Sequence, residues 1–317
     1  MDCFDLENPF TSLDNQESDI ISALFSSESD HMPSHNYFLS LKSNDSFVSF
    51  RQEAISLILR AQYSCNIDRY TTYLATNYMD RFVSRQEIPQ GNPWVLRLLV
   101  IATISLASKM KEQHFSSSNF QREEGFIFDA PAIQRMELLI LDALNWRMRS
   151  VTPLSFICFF ISLFELKDPP LRQALKDRAT NIIFQACNEI KLLEFKPSII
   201  AVSALLMASH ELFPLQFPSF ETSILSCRHV NKENQLKCFN AMQEMVANET
   251  SDSIIETVSS SSTTTPMSVL DCHCERSSSS MAAIAVPEKR EQRKRQKLNG
   301  FCSESNRVKI SQIQPCG

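Results

Sequence analysis

Two stretches of this chain, Trp94 to Met110 and Ser198 to Phe213, are apolar almost all round when wound as helices. Such a helix has no side that tolerates water, so other elements must surround it. Each stretch is therefore expected at the centre of its own helical domain. Flanking segments supply the neighbours. Phe47 to Cys65 repeats Phe50, Ala54, Ile55, Ile58 and Leu59 at helical spacing behind a cap at Asp45 or Ser46. Asp68 to Ser84 puts Tyr70, Leu74, Tyr78 and Phe82 on one stripe. A short helix near Ser117 to Glu124 and an amphipathic one from Pro131 to Asn145 bring the first set to five.

The pattern then repeats. Thr152-Pro153 opens an apolar helix through Leu163, Pro169-Pro170 precedes a long helix, and Pro197 opens the second all-apolar one. Leu106-Ala107-Ser108-Lys109 aligns with Met207-Ala208-Ser209-His210 at an offset of about 100 residues. The sequence thus predicts an all-α protein of two tandem five-helix domains, 47–150 and 151–250, flanked by disordered arms. The arm over 1–46 is acidic, and the tail over 251–317 is rich in serine and threonine with a basic cluster near its end. Neither shows the sustained apolar periodicity that offsets the entropy of ordering.

Composition removes several classes of function. With 4 glycines in 317 residues, no glycine-rich phosphate loop can be assembled. A net charge of -5 argues against a nucleic-acid or anionic-membrane partner. The longest apolar stretches fall short of the about 20 residues of a membrane span. The 10 cysteines stand mostly singly, and no apolar signal segment opens the chain, as in a reducing compartment. Cys272-His273-Cys274 fits no usual zinc pair, no Ser-His-Asp or paired-carboxylate set stands out, and His210 reads as a partly buried structural histidine. Neither metal, cofactor nor catalytic site is expected.

Under the internal alignment Arg51, Asp80, Lys109 and Glu137 fall opposite Thr152, Asn181, His210 and Cys238. The apolar framework is kept while the charges are not. Either the first domain's charges serve a partner, or Arg51 and Asp80 pair with each other. Lys109 also suits the C-terminal end of its helix as a solvated cation.

Four segments carry a family resemblance. Arg51-Gln52-Glu53-Ala54-Ile55, Asn77-Tyr78-Met79-Asp80-Arg81-Phe82, Leu106-Ala107-Ser108-Lys109-Met110-Lys111-Glu112 and Arg135-Met136-Glu137-Leu138-Leu139 resemble, in order and spacing, the cyclin box. Asn145-Trp146-Arg147 followed by Val151-Thr152-Pro153 looks like the junction between the two boxes of plant D-type cyclins. The resemblance implies a non-enzymatic subunit that binds and allosterically activates a cyclin-dependent serine/threonine kinase, at the G1/S transition of the plant cell cycle. It further implies an internal ion pair of Arg51 with Asp80. Lys109 and Glu137 would face the kinase, with Leu106, Met110, Leu141 and Trp146 packed around them.

The resemblance also brings departures. The family's docking groove for substrates and kinase inhibitor proteins combines a methionine, a leucine and a tryptophan, where this chain has Phe50, Ala54 and Leu57 and so lacks a wide aromatic floor. The Leu-x-Cys-x-Glu motif for retinoblastoma-type proteins does not occur, as in the divergent sixth subgroup of plant D-type cyclins, and such binding is not expected. In the tail, Lys289, Arg290, Arg293, Lys294, Arg295 and Lys297 form a candidate nuclear-import signal, giving a nuclear location with the cytoplasm as alternative. Thr265, before Pro266, is a candidate phosphosite.

Overall fold

The computed structural model describes residues 17–88, 92–164 and 166–259. Three short elements come first: α1 (Glu17–Ser27), a 3-10 turn (Glu28–His31) and α2 (His35–Ser43). A five-helix bundle follows, made of α3 (Asp45–Ser64), α4 (Arg69–Val83), α5 (Pro93–Met110), α6 (Ser117–Glu124) and α7 (Ala130–Ala143). The second bundle consists of α8 (Leu154–Ser162), α9 (Pro169–Ala186), α10 (Pro197–Leu212), α11 (Phe217–Leu225) and α12 (Lys232–Ser259). No strand occurs among the described residues.

Local chemistry sets the helix boundaries. Asn44 caps α3, its side-chain oxygen accepting from the Ser46 N–H at 2.9 Å, so the cap lies one residue before the expected position. Asp68 accepts from the Thr71 N–H at 2.7 Å to start α4, and Asp129 accepts from Ala132 at 2.8 Å to start α7. Proline stands at the first turn of α5, α7, α9, α10 and α11, where its missing N–H has no intrahelical acceptor. Gly125, at φ +72°, ends α6 in a left-handed conformation that a side chain would resist.

The two all-apolar helices lie where their composition requires. Helix α5 packs against α3, α4 and α7, with Leu98, Leu99, Val100 and Ala102 excluded from solvent. By length and composition α5 is apolar enough for a membrane span, contrary to the sequence reading, yet 67% of it is buried among its neighbours, as a core helix needs. Helix α10 packs against α8, α9 and α11, with Ala201, Val202, Ala204 and Leu205 fully enclosed.

The N-terminal region departs from expectation. Residues 17–43, assigned above to a disordered arm, form helices that bury Phe25, Tyr37, Phe38 and Leu41. Phe25 packs against Phe156 of the second bundle at 4.9 Å and stacks on His229 at 4.3 Å. Glu28 is 2% exposed, and its carboxylate accepts from the Ser198 N–H at 2.9 Å, capping α10 from outside its own segment. Elements this short show too few turns for periodicity to register, and Phe25 and Glu28 find their partners over a hundred residues away. At the other end, the boundary expected at 250 falls inside α12, which runs to Ser259. Thr265 and the basic cluster Lys289, Arg290, Arg293, Lys294, Arg295 and Lys297 lie outside the described residues.

Candidate partner-binding site

Lys109 sits in the last turn of α5, where the helix dipole favours a cation. Its Nζ donates to both carboxylate oxygens of Glu137 on α7, each at 2.7 Å. The pair is lopsided in exposure: the Lys109 side chain is 61% accessible and that of Glu137 only 10%. Met136, Ile140 and Leu144 form the buried face of α7 and fix the rotation that brings Glu137 to the boundary between core and solvent. The Lys109 ammonium thus covers a carboxylate that is otherwise largely withdrawn from water.

Apolar side chains lie on the same two helices and just beyond them. Leu106 is buried one turn before Lys109 and serves as floor, whereas Met110 and Leu141 are partly exposed. Trp146 is 67% exposed, and Leu138 (56%) and Ile127 (76%) add outward apolar surface that sequence reading did not single out. Leu138 had a legible signal: with Leu141 it forms an apolar pair one turn apart on the side of an amphipathic helix where polar residues are expected. Ile127 lies in an irregular segment and had none.

Backbone strain displays Trp146. Asn145 and Trp146 both adopt left-handed φ angles, 51° and 59°, so that the chain turns sharply off the end of α7. The Trp146 N–H donates to the Leu141 carbonyl at 2.9 Å, which satisfies one of the last acceptors of the helix. A non-glycine residue held in this region costs on the order of 1–3 kcal/mol, and asparagine bears it more easily than tryptophan.

Arg51 and Asp80 form a separate, buried constellation. Arg51 Nε and Nη2 donate to the two oxygens of Asp80 at 2.9 and 3.0 Å, and both side chains are nearly inaccessible. The Tyr37 hydroxyl donates to the same carboxylate at 3.0 Å. Arg51 also reaches the second bundle, donating to the carbonyls of Cys187 at 2.8 Å and Asn188 at 2.9 Å. Burial works against the charge on Arg51, but the adjacent Asp80 carboxylate outweighs it and holds the guanidinium pKa above its ordinary value. Burial together with the Asp80 charge pushes the Tyr37 phenol up, and burial raises the Cys187 thiol to about 12 against the opposing pull of Arg51. These groups hold α3, α4 and the second bundle together.

The second bundle uses its aligned positions differently. Asn181 accepts from Arg69 of α4 at 2.6 Å, Thr152 and Cys238 are buried, and His210 is exposed with its ring edge-on to Phe217 at 5.2 Å. His210 is thus exposed rather than the partly buried residue expected. Of the three groove positions, only Phe50 lines an opening; Ala54 and Leu57 are fully buried in the α3 core face. Among the described residues no group of three or more His, Cys, Asp or Glu is placed to hold a metal.

Comparison with known proteins agrees with this architecture. The model of the cyclin N-terminal domain matches residues 19–149, and that of the cyclin C-terminal domain matches residues 151–275. The first match begins within α1, in keeping with the packed N-terminal helices. The chain is 44% identical over 303 residues to the putative cyclin-D6-1 of Arabidopsis thaliana, covering 90% of this chain and 97% of that one. It is 37% identical over 289 residues to cyclin-D6-1 of Oryza sativa subsp. japonica, covering 89% and 86%. Among solved structures, a viral cyclin from herpesvirus saimiri superposes with a TM-score of 0.51 at 17% identity, over 63% of this chain and 85% of that one, a likeness of fold. With both halves matched by cyclin domain models and D-type relatives matched along most of its length, this chain belongs to the cyclin family, in its plant D-type branch, and is a regulatory protein rather than an enzyme.

Proposed function

We propose that this cyclin binds and activates a cyclin-dependent serine/threonine kinase through the face built on Lys109 and Glu137, with Leu106, Met110, Leu138, Leu141 and Trp146 as its apolar surround. The observation that carries the reading is the Lys109–Glu137 pair itself, a charged couple at the end of an otherwise apolar core helix. Each partner retains hydrogen-bonding capacity beyond the other: one further N–H group on the ammonium and spare lone pairs on the carboxylate. Backbone groups of a partner helix would engage these while the apolar residues around them lose water. Binding the active arrangement of the kinase more tightly than the inactive one shifts its population, and the phosphoryl chemistry stays with the kinase.

The likeness to D-type cyclins supports action at G1/S, and the tail cluster Lys289 to Lys297 supports a nuclear location. Kinase inhibitor proteins are the further partner class supported by the family likeness. No retinoblastoma-type partner is proposed, since no Leu-x-Cys-x-Glu motif occurs.

The test uses the internal pairing. Lys109→Glu and Glu137→Lys singly place like charges together, whereas the double reversal restores an internal ion pair of opposite polarity. The double variant should melt like the parent yet lose kinase binding by roughly 30-fold or more, because each stranded group in an interface costs about 2–5 kcal/mol. Kinase binding and activation equal to the parent by the double variant would sink the assignment.

A further inference from the structure

Three arginines converge where α4, the end of α7 and the 3-10 turn meet. Arg81 is wholly buried, yet its guanidinium reaches only neutral oxygens: Ser150 Oγ at 2.9 Å, the Arg147 carbonyl at 3.1 Å and Asn77 Oδ1 at 3.5 Å. Its Nε has no acceptor. Arg51, equally buried, is matched by Asp80; Arg81 has no such carboxylate. Exposed Arg85 donates to two carbonyls, those of Ala143 at 3.1 Å and Asp30 at 3.4 Å. Arg147 holds the Asp30 carboxylate at 2.6 Å. Among the described residues Asp30 is the one carboxylate that an ion pair joins to this cluster, so three cations share one anion. Burial, with Arg85 and Arg147 adding to it, accordingly lowers the Arg81 pKa to about 10.

This surplus of positive charge borders the proposed kinase face. Arg85 is bonded to the last residue of α7, and Arg147 follows directly on the exposed Trp146. The Asp30 and Arg147 side chains are 55% and 51% accessible, and an ion pair so open to water adds little and exchanges readily. A carboxylate carried in by a docked protein, where water withdraws, gains more from the same arginines than Asp30 does in solvent.

We propose that Arg85 and Arg147 receive an acidic segment of the kinase docked on the Lys109–Glu137 face, and that Asp30 is a placeholder which this segment displaces from Arg147. The proposal rests on the kinase-binding reading and adds to it the charge of the partner. A kinase with an acidic surface next to Trp146 is drawn in, and one with a basic surface there is turned away.

The test measures association of the purified kinase with the full-length chain as salt rises. Asp30→Asn frees Arg147 and should tighten binding about threefold to tenfold at about 0.01 M salt, whereas Arg85→Gln/Arg147→Gln should weaken it about tenfold. Both differences should vanish near 1 M salt, where the Debye length is about 3 Å. Arg172→Gln/Lys232→Gln, exposed on the second bundle, makes the same change in net charge as the arginine variant and should stay within about twofold of the parent. Binding no tighter in Asp30→Asn, or an arginine variant as salt-sensitive as the parent, would overturn the proposal. So would a loss in the arginine variant that is equal at all salt concentrations and comes with a lower melting temperature, since Arg85 and Arg147 would then serve only to hold the turn. If Lys109→Glu/Glu137→Lys loses kinase binding while the arginine variant does not, this proposal alone fails; if that double reversal binds like the parent, the kinase face itself is misplaced and takes the proposal with it.

Discussion

Arg51 meets Asp80 through two parallel N–H···O bonds of 2.9 and 3.0 Å, and the same guanidinium donates to the carbonyls of Cys187 and Asn188 in the second bundle. The ion pair therefore ties α3 to α4 and the first bundle to the second in one step. Asp80→Asn should destabilise the protein by about 3–5 kcal/mol, the usual cost of stranding one member of a buried pair. Arg51→Lys should also destabilise it, because a single ammonium cannot serve Asp80 and two carbonyls in the geometry of the planar fork. Chemical denaturation of the purified chain checks both, and a loss below about 1 kcal/mol for Asp80→Asn would remove the cross-link from the account.

Glu28 gives a second, more local prediction. Its buried carboxylate accepts from Ser198 at the start of α10 and lies 3.4 Å from the Lys196 ammonium. Glu28→Ala leaves that N–H without its acceptor and removes an anion from a helix N-terminus, at a cost of about 1–3 kcal/mol. Hydrogen exchange over residues 17–31 should accelerate in this variant. Glu28→Gln keeps an acceptor oxygen and should fall between the parent and the alanine variant. Exchange as slow in Glu28→Ala as in the parent would show that contacts other than that of Glu28, the packing of Phe25 among them, hold this segment.

His31 makes stability depend on pH. Burial, reinforced by the positive charges of Arg81, Arg147 and Arg85 and only partly offset by Asp30, lowers its pKa to about 4. The unfolded chain takes up this proton near the ordinary value of about 6.5, so between these values it binds more protons than the folded one. Stability is therefore complete above the unfolded value and declines as pH falls through it, by about 2 kcal/mol at pH 5. His31→Gln should flatten that part of the profile. A parental slope between pH 7 and 5 retained in the variant would place the dependence elsewhere.

How much of this was legible in the sequence follows from the range of each interaction. The two central helices announced themselves because being apolar all round is a property of residues within one element. The partners of Arg51 were only half visible: Asp80 is a residue type that can be sought, whereas the carbonyls of Cys187 and Asn188 belong to the backbone and leave no mark on composition. Residues 17–43 were misread because Phe25 and Glu28 are stabilised by Phe156, His229 and Ser198, which no local pattern connects to them. Position, too, misled at the groove, where Ala54 and Leu57 turn into the core and the opening forms one turn earlier, at Phe47 and Phe50.

Trp146 joins strain to the proposed function. Its indole is 67% exposed and contributes little burial, while its φ of 59° is one that glycine adopts without steric cost. Trp146→Gly should release about 1–3 kcal/mol of backbone strain and lose about 0.5–1 kcal/mol to the greater entropy of glycine in the unfolded chain. The melting temperature should therefore hold or rise. Kinase affinity should move the other way: an exposed tryptophan on the proposed binding face has the makings of a binding hot spot, where truncation costs about 2 kcal/mol or more, close to 30-fold in affinity. Isothermal titration with the kinase and a thermal melt separate the two quantities. A variant that is less stable than the parent and binds equally well would mean that Trp146 is held left-handed for packing alone, and the binding face would then have to be drawn without it.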